Sequence, residues 1–271
     1  MQKKKLRKKR EHVYRLHIDA APNKQQPVSS SRYAKVWAFL WDKIQFVLVS
    51  IVVFAVIYVV MNWQALSLIA KHNWDVWRGY KSPLERLVAE KPNEPEKFSV
   101  TPALALKQTP VPPLNLEVYP TEMRIIIPRI NQNLPVVGVK NENLIARRWE
   151  ELESDIQKAL KNGVIHYPGT ALPGDNGNVV ITGHSSYYVW DPGRFKDVFA
   201  LLHDVKMGDR IVVYFNQKKY IYEVNKIKVV LPKDVDVLGP SPTEQLTLIT
   251  CTPIGTNLKR LIVQAKLVEK S

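Results

Sequence analysis

The chain contains a single cysteine, Cys251, and its surroundings suit a nucleophile as well as a buried core residue. Cys251 follows an apolar run that ends at Thr250, and Arg260 comes after the turn-forming segment 252–257. If the flanking segments are antiparallel strands, the two side chains face each other with Cβ atoms ~5 Å apart. A guanidinium at that distance favours the thiolate and can stabilise an oxyanion. A lone cysteine at the end of an apolar strand is otherwise a small buried residue, and the spacing alone leaves both interpretations open.

A cysteine nucleophile usually needs an imidazole, and the position of each histidine decides whether it can serve. Three of the six histidines lie within the first 72 residues, outside the segment that contains Cys251. His184 directly follows an apolar run and Gly183, where a side chain would emerge at the edge of a sheet. His166 is interpreted as a hydrogen-bonding loop residue and His203 as a structural surface residue. His184 is therefore the preferred acid/base candidate, although a structural role stays open for it too.

The net charge of +14 is concentrated at the N-terminus. Residues 1–43 hold 12 Lys+Arg and 3 Asp+Glu, whereas residues 116–271 hold 20 and 17. No charged residue occurs between Ile44 and Ala70, and eighteen helical residues from Ile44 to Met61 would span ~27 Å, close to the thickness of a bilayer core. This pattern predicts a transmembrane helix over 44–63. A buried core helix and a cleaved signal peptide are the alternatives.

A basic segment before a membrane span predicts the orientation of the chain. We expect a single-pass cell-membrane protein with a cytoplasmic basic tail (1–43), a proline-rich extracytoplasmic stalk (64–115) and an extracytoplasmic domain (116–271). The tail could contact anionic lipid, and because topology accounts for its charge, no nucleic-acid partner is predicted. A single cysteine excludes both an intramolecular disulfide framework and a multi-cysteine zinc site.

From residue 116 onward, short runs rich in Val, Ile and Tyr are separated by Gly, Pro, Asn and Asp, a pattern typical of a β-protein. Helices are predicted over 82–90, 154–161 and 195–202. The fold class predicted is mainly β, with short helices and a closed or nearly closed barrel. The predicted strands cover 122–130, 134–139, 177–184, 209–215, 219–231, 245–251 and 259–267.

Three separated segments resemble the sortase family. They are Thr247-Leu248-Ile249-Thr250-Cys251, then Arg260-Leu261-Ile262-Val263, and the earlier Gly177-Asn178-Val179-Val180-Ile181-Thr182-Gly183-His184. They occur in the family's order, and the resemblance covers about residues 116–271. It implies a closed eight-stranded sortase-type barrel behind one transmembrane helix.

The resemblance also implies an activity, that of a cysteine transpeptidase. Cys251 would cleave an LPxTG-type C-terminal sorting signal through a thioester, His184 would act as acid and base, and Arg260 would stabilise the oxyanion. Thr250 and Asn257 are expected to bind the substrate. The implied partners are secreted proteins that carry the signal, an amine acceptor on a cell-wall precursor or a pilin lysine, and the lipid bilayer.

Subclass and alternative functions stay open. The segment after Cys251 resembles pilus-type sortases, but no Asp-Pro-aromatic lid motif precedes the barrel; Asp191-Pro192 lies after His184 and does not match. A housekeeping-like anchoring enzyme or a less studied subgroup is at least as compatible with the sequence. The alternatives are a catalytically silent, membrane-tethered scaffold and a cysteine hydrolase that uses water as the acceptor. No metal and no cofactor are predicted.

Overall fold

A computed structural model describes residues 32–89, 119–188, 190–191 and 193–271. The predicted cytoplasmic tail up to residue 31 and the proline-rich part of the predicted stalk lie outside the described residues. Contacts divide the chain into two units between Val52 and Val53.

Two helices come first in the described chain. Helix α1 is Arg32–Met61. Within it, the segment Phe39–Met61 is long and apolar enough to cross a membrane, and no residue of its most apolar 18-residue stretch is buried. Helix α2, Trp63–Trp77, buries Ala65 and packs Leu68 and Ile69 against the barrel core. The spacing of these three residues, i, i+3 and i+4, places them on one helical face. The first residues of the predicted stalk thus form a helix that packs on the barrel. The predicted domain boundaries, at residues 43, 63 and 115, stay a prediction.

The helix predicted from residue 82 is present in two short parts. A 3-10 helix, Pro83–Glu85, continues into α3, Arg86–Ala89. The hydroxyl of Ser82 accepts a hydrogen bond from the backbone N–H of Leu84 at 3.2 Å, as expected for an N-cap serine followed by proline.

Eight strands close into a barrel, which confirms the predicted fold class. Around the barrel the order is β1-β2-β3-β4-β7-β8-β6-β5, and β5 pairs back with β1. Each of the seven predicted runs overlaps a strand, and the remaining strand, β3, includes His166, for which the sequence predicts a loop. The strands are β1 Arg124–Ile127, β2 Gln132–Gly138, β3 Val164–His166, β4 Asn178–Thr182, β5 Arg210–Phe215, β6 Lys218–Val230, β7 Gln245–Thr252 and β8 Lys259–Lys270.

Side chains that alternate along the strands fill the barrel. Ile125 and Ile127 of β1 point inward, as do Leu246 and Leu248 of β7, and all four are fully buried. On the outer face of β4 and β7, Val180 and Ile249 are buried beneath a 3-10 helix, Val235–Leu238. Both faces of this part of the sheet are covered, which explains why β4 and β7 are apolar almost throughout.

The parallel pairing of β4 with β7 positions the candidate site. Their register runs from Asn178 opposite Gln245 to Thr182 opposite Ile249, so both strands end at the same rim of the barrel. His184 and Cys251, which follow these two positions in sequence, therefore emerge together.

Two helix predictions in the barrel domain have different outcomes. Helix α4 is Glu142–Ile145, and α5 is Trp149–Leu160, which confirms the predicted helix with an earlier start. The predicted helix over 195–202 is wrong, because this segment forms turns that lead to a 3-10 helix, Leu202–Asp204. The N–H of Phe199 donates to the carbonyl of His184 at 2.9 Å instead of to a helical acceptor.

Candidate active site

Cys251 and Arg260 are direct partners in the antiparallel register of β7 and β8. Directly opposed residues of such a pair project to the same side of the sheet. The expectation that these two residues lie on neighbouring antiparallel strands is confirmed. Both side chains are half-buried, so solvent and a ligand can reach the thiol and the guanidinium.

His184 joins them from the end of β4. The N–H of Gly183 donates to the carbonyl of Ile249 at 3.2 Å, which extends the β4–β7 ladder by one step. The hydroxyl of Thr250 donates to the carbonyl of Gly183 at 2.8 Å and ties the two chain segments together once more. As a result, His184, Cys251 and Arg260 line one cavity.

The imidazole of His184 is half-buried, near two carboxylates and against an aromatic ring. Burial lowers the pKa of His184, while the negative charges of Asp191 and Glu153 oppose part of that shift. One ring face stacks on Tyr187, with centroids 4.5 Å apart and planes inclined by 29°. Burial therefore favours the neutral form of the imidazole.

Asp191 is kept ionised near this histidine. The pKa of Asp191 is lowered, first by the backbone N–H of Gly193, which donates to its carboxylate at 2.8 Å. Lys161 lowers the pKa further, with its Nζ 3.0 Å from the other carboxylate oxygen. A fixed anion near His184 stabilises the imidazolium that forms whenever the ring accepts a proton.

Arg260 is oriented by the backbone of the β7–β8 loop. Its Nη1 donates to the carbonyl of Asn257 at 3.0 Å and to the carbonyl of Lys259 at 3.2 Å. Asn257 itself is exposed on the cavity wall. The remaining N–H groups of the guanidinium are donors that a bound carbonyl oxygen can use.

Thr250 and Asn257 are the two residues predicted to bind substrate, and Thr250 is buried whereas Asn257 is exposed. Thr250 is 3% exposed, and its hydroxyl is engaged with Gly183. This contact fixes the backbone that carries His184. The substrate-binding role of both residues stays a prediction.

The other histidines of the barrel are tied into the fold. Nε2 of His166, in β3, lies 2.8 Å from the carbonyl of Ala171, and burial lowers its pKa. Nδ1 of His203 lies 2.9 Å from the carbonyl of Ala200. Neither residue lines the cavity that contains Cys251.

The cavity also has walls that sequence reasoning missed. Glu153 and Gln157 of α5 border it, and the amide of Gln157 donates to the carboxylate of Glu153 at 2.8 Å. No local sequence pattern marks Glu153 as a residue of this cavity. An apolar wall of the same cavity comes from the 3-10 helix Val235–Leu238 and from strands β6, β7 and β8. It comprises Val230, Val235, Val237, Leu238, Ile249 and Ile262.

Within the described residues, no three His, Cys, Asp or Glu side chains converge as they would around a metal ion. The functional groups of His184, Cys251 and Arg260 that line the cavity are an imidazole, a thiol and a guanidinium, and they lie beside an apolar wall.

The family model of the sortase domain matches residues 125–268, a range that holds all eight strands except the first residue of β1 and the last two residues of β8. This chain belongs to the sortase family. The match covers more than half of the chain and includes His184, Cys251 and Arg260.

Individual sortases are similar to this chain over the same region. It is 28% identical to Sortase A of Bacillus anthracis over 145 residues, which cover 54% of this chain and 59% of that protein. It is 33% identical to Sortase A of Streptococcus agalactiae over 144 residues, 51% of this chain and 55% of that protein. These matches span less than two thirds of either relative.

Solved structures of sortases are also similar. Sortase A from Corynebacterium diphtheriae shares 35% sequence identity with this chain, with a TM-score of 0.44. The superposition covers 56% of this chain and 62% of that one.

Proposed function

We propose that this sortase is a cysteine transpeptidase that cleaves a C-terminal LPxTG-type sorting signal and transfers the cleaved protein to an amine. One observation carries the proposal: Cys251 and Arg260 face each other across β7–β8, and His184 lines the same cavity. Acyl transfer through a thioester needs a nucleophile, an acid/base and a donor for the oxyanion, and these three side chains have those capacities.

In the first half-reaction, His184 takes the proton of the Cys251 thiol, and the Sγ thiolate attacks the carbonyl carbon of the scissile peptide. A bond forms between sulfur and carbon, and the developing oxyanion accepts hydrogen bonds from Arg260. The C–N bond then breaks, His184 gives its proton to the departing amine, and a thioester remains on the enzyme. The anionic Asp191 near His184 supports the imidazolium form that this step requires.

In the second half-reaction, the acceptor amine attacks the thioester carbonyl. The neutral His184 takes a proton from the amine, an amide bond forms and the C–S bond breaks. The thiolate of Cys251 is restored, and atoms and charges balance without any further reactant. The acceptor amine belongs to a cell-wall precursor or to a pilin lysine.

The apolar wall supports a peptide substrate. An extended Leu-Pro segment presents little polar surface, and burying it against valine, leucine and isoleucine side chains is favourable at about 25 cal/mol per Å². Val237 and Ile249 are part of this wall, next to Cys251. The wall thus gives a binding surface for the residues that precede the scissile bond.

We place the barrel outside the cell membrane and the basic N-terminus in the cytoplasm. The apolar helix Phe39–Met61 and the excess of basic residues before it support this topology. Sorting-signal proteins would meet the enzyme after secretion, at the surface where acceptor amines of the cell wall or pili are available.

The test uses the full chain in lipid nanodiscs with a library of sorting-signal peptides and several primary amines, read by mass spectrometry. We expect cleaved peptide joined to the amine, with Cys251→Ala inactive. Release of the free acid at the same rate with and without amine would establish a hydrolase. Peptide binding without cleavage at any amine concentration would establish a scaffold and refute the transpeptidase.

A further inference from the structure

The C-terminal end of helix α1 reaches the loop that follows Cys251. The hydroxyl of Tyr58 donates to the carbonyl of Ile254 at 2.9 Å. Four residues later, the amide of Asn62 donates to the carbonyl of Tyr58 at 3.0 Å, which fixes its side chain on the helix end. Met61 and Asn62 line the same cavity as His184 and Cys251. The last turn of the apolar helix is therefore a wall of the candidate active site.

A single peptide unit in this loop is held from both sides. Its carbonyl, of Ile254, accepts from Tyr58, and its N–H, of Gly255, donates to the hydroxyl of Ser186 at 2.8 Å. Ser186 is two residues from His184. The orientation of this peptide plane is thus set by the helix end on one side and by the histidine loop on the other.

Gly255 is required at this point for two reasons. Its φ of +78° lies in the left-handed region that favours glycine. A Cβ at this position would also lie 2.5 Å from Oδ1 of Asn62, closer than atoms in contact allow. A residue larger than glycine would therefore displace the side chain of Asn62.

The held peptide is coupled to Arg260 through a short stretch of loop. The N–H of Thr256 donates to the carbonyl of Pro253 at 3.1 Å, which closes a turn around Ile254 and Gly255. The next carbonyl, of Asn257, accepts from Arg260 at 3.0 Å. A rotation of the Ile254–Gly255 peptide would therefore displace an acceptor that orients the guanidinium.

We propose that Tyr58 and Asn62 are positioning residues of this sortase, through which the apolar helix holds the β7–β8 loop and Arg260 in the geometry for catalysis. The inference rests on the proposed function of Arg260. Neither residue touches the reacting atoms in this account. The apolar helix would then contribute to turnover directly, in addition to any role as a membrane anchor.

The test compares Tyr58→Phe and Asn62→Ala with wild type, each as the full chain in nanodiscs. Tyr58→Phe removes one hydroxyl and keeps the ring. Tyr80→Phe is the matched control, because Tyr80 is exposed and lies outside the cavity. Two readouts are made on every variant: steady-state turnover of a sorting peptide, and hydrogen exchange of the amides of residues 254–257.

We expect Tyr58→Phe to lower kcat by about fivefold with little change in KM, the order associated with one neutral hydrogen bond. Exchange of the Gly255 amide should accelerate in Tyr58→Phe and Asn62→Ala and stay at the wild-type rate in Tyr80→Phe. A purely structural contact would lower thermal stability without changing kcat of the folded enzyme.

The two readouts separate this inference from the proposed function. Wild-type exchange and wild-type kcat in both variants would overturn the positioning role even if the enzyme is an active transpeptidase. Faster exchange with unchanged kcat would also overturn it, because the loop would then move without effect on the reaction. If the wild type turns over no peptide, the proposed function fails, and the catalytic positioning role fails with it.

Discussion

The two ends of the parallel β4–β7 pair differ in how their polar groups are used. At the start of the strands, Asn178 and Thr247 are 3% and 0% exposed. The hydroxyl of Thr247 donates a hydrogen bond to Oδ1 of Asn178 at 2.6 Å. The amide of Asn178 also donates to the carbonyls of Val237 and Gly239 at 2.9 and 3.1 Å. At the other end, His184 and Cys251 are half-buried and face a cavity.

The two ends of this strand pair should therefore differ in what their polar residues contribute, stability at one end and ligand contacts at the other. Buried polar groups that satisfy each other stabilise the fold and have no capacity left for a ligand. Polar groups at an open rim keep donors, acceptors and a thiol available to a ligand. Substitutions at the closed end, Asn178 and Thr247, should therefore change unfolding, and substitutions at the open end should change turnover.

The largest expected effect is at Cys251. Cys251→Ala removes the nucleophile and should lower sorting-peptide turnover by about 10³-fold or more, as when an essential nucleophile is deleted. The side chain is half-exposed, so the thermal midpoint should stay close to that of wild type. Comparable turnover in the variant, measured by peptide cleavage, would remove Cys251 from the mechanism.

The next effect is at Arg260. Arg260→Ala should lower kcat by roughly 10²–10³-fold, because a donor to the developing oxyanion is lost. Arg260→Lys keeps the charge but loses the planar fork, so it should recover only part of the rate. The midpoint of thermal unfolding serves as the control, and equal kcat in wild type and alanine variant would contradict the assigned role.

Substitutions at the closed end of the strand pair, at Asn178 and Thr247, should change the stability of the protein. Asn178→Ala removes the donor to the carbonyls of Val237 and Gly239 and the acceptor of the Thr247 hydroxyl, which should lower the free energy of unfolding by roughly 2–3 kcal/mol. Thr247→Val keeps the shape and removes one hydroxyl, so its cost should be smaller. The measurement is the unfolding midpoint, with kcat below that midpoint as the control. A kcat loss as large as that of Arg260→Ala would break the contrast between the two ends.

The smallest effect is a shift in pH dependence. Glu153 raises the pKa of His184, against the larger lowering by burial. Glu153→Gln removes the charge but keeps an acceptor oxygen, so the pKa of His184 should fall further. The imidazolium should then form only at lower pH, and the acidic limb of kcat/KM should move the same way. NMR titration of the His184 ring measures this directly, and a rise in its pKa would contradict the electrostatic account.

Much of the barrel and the core of the site follow from local sequence. The strands that carry Cys251 and Arg260 are long and apolar and are separated by a single turn segment. Their antiparallel pairing is therefore encoded within one continuous stretch, residues 245–270. Strand β3 is only three residues long, and its pattern is too short to distinguish it from a loop. Its partners, β2 and β4, are set by the tertiary fold.

The features that sequence reasoning missed depend on distant contacts. The spacing of Phe195, Val198, Phe199 and Leu202 suggests a helical face, yet Ala200 and Leu201 between them are also buried. The buried side chains therefore do not lie on one helical face, and the N–H of Phe199 donates to the carbonyl of His184 instead of to a helical acceptor. Tyr58 likewise looks like any aromatic residue near the end of an apolar helix until the β7–β8 loop is placed against it.

The most direct test of the account is intact-mass spectrometry of the full chain, quenched during turnover of a sorting peptide without amine. We predict an increase equal to the mass of the acyl fragment, located on Cys251 by fragmentation. Addition of a primary amine should remove that adduct as the amide product appears. Peptide cleavage with an adduct on another residue, or with turnover undiminished in Cys251→Ala, would contradict the account.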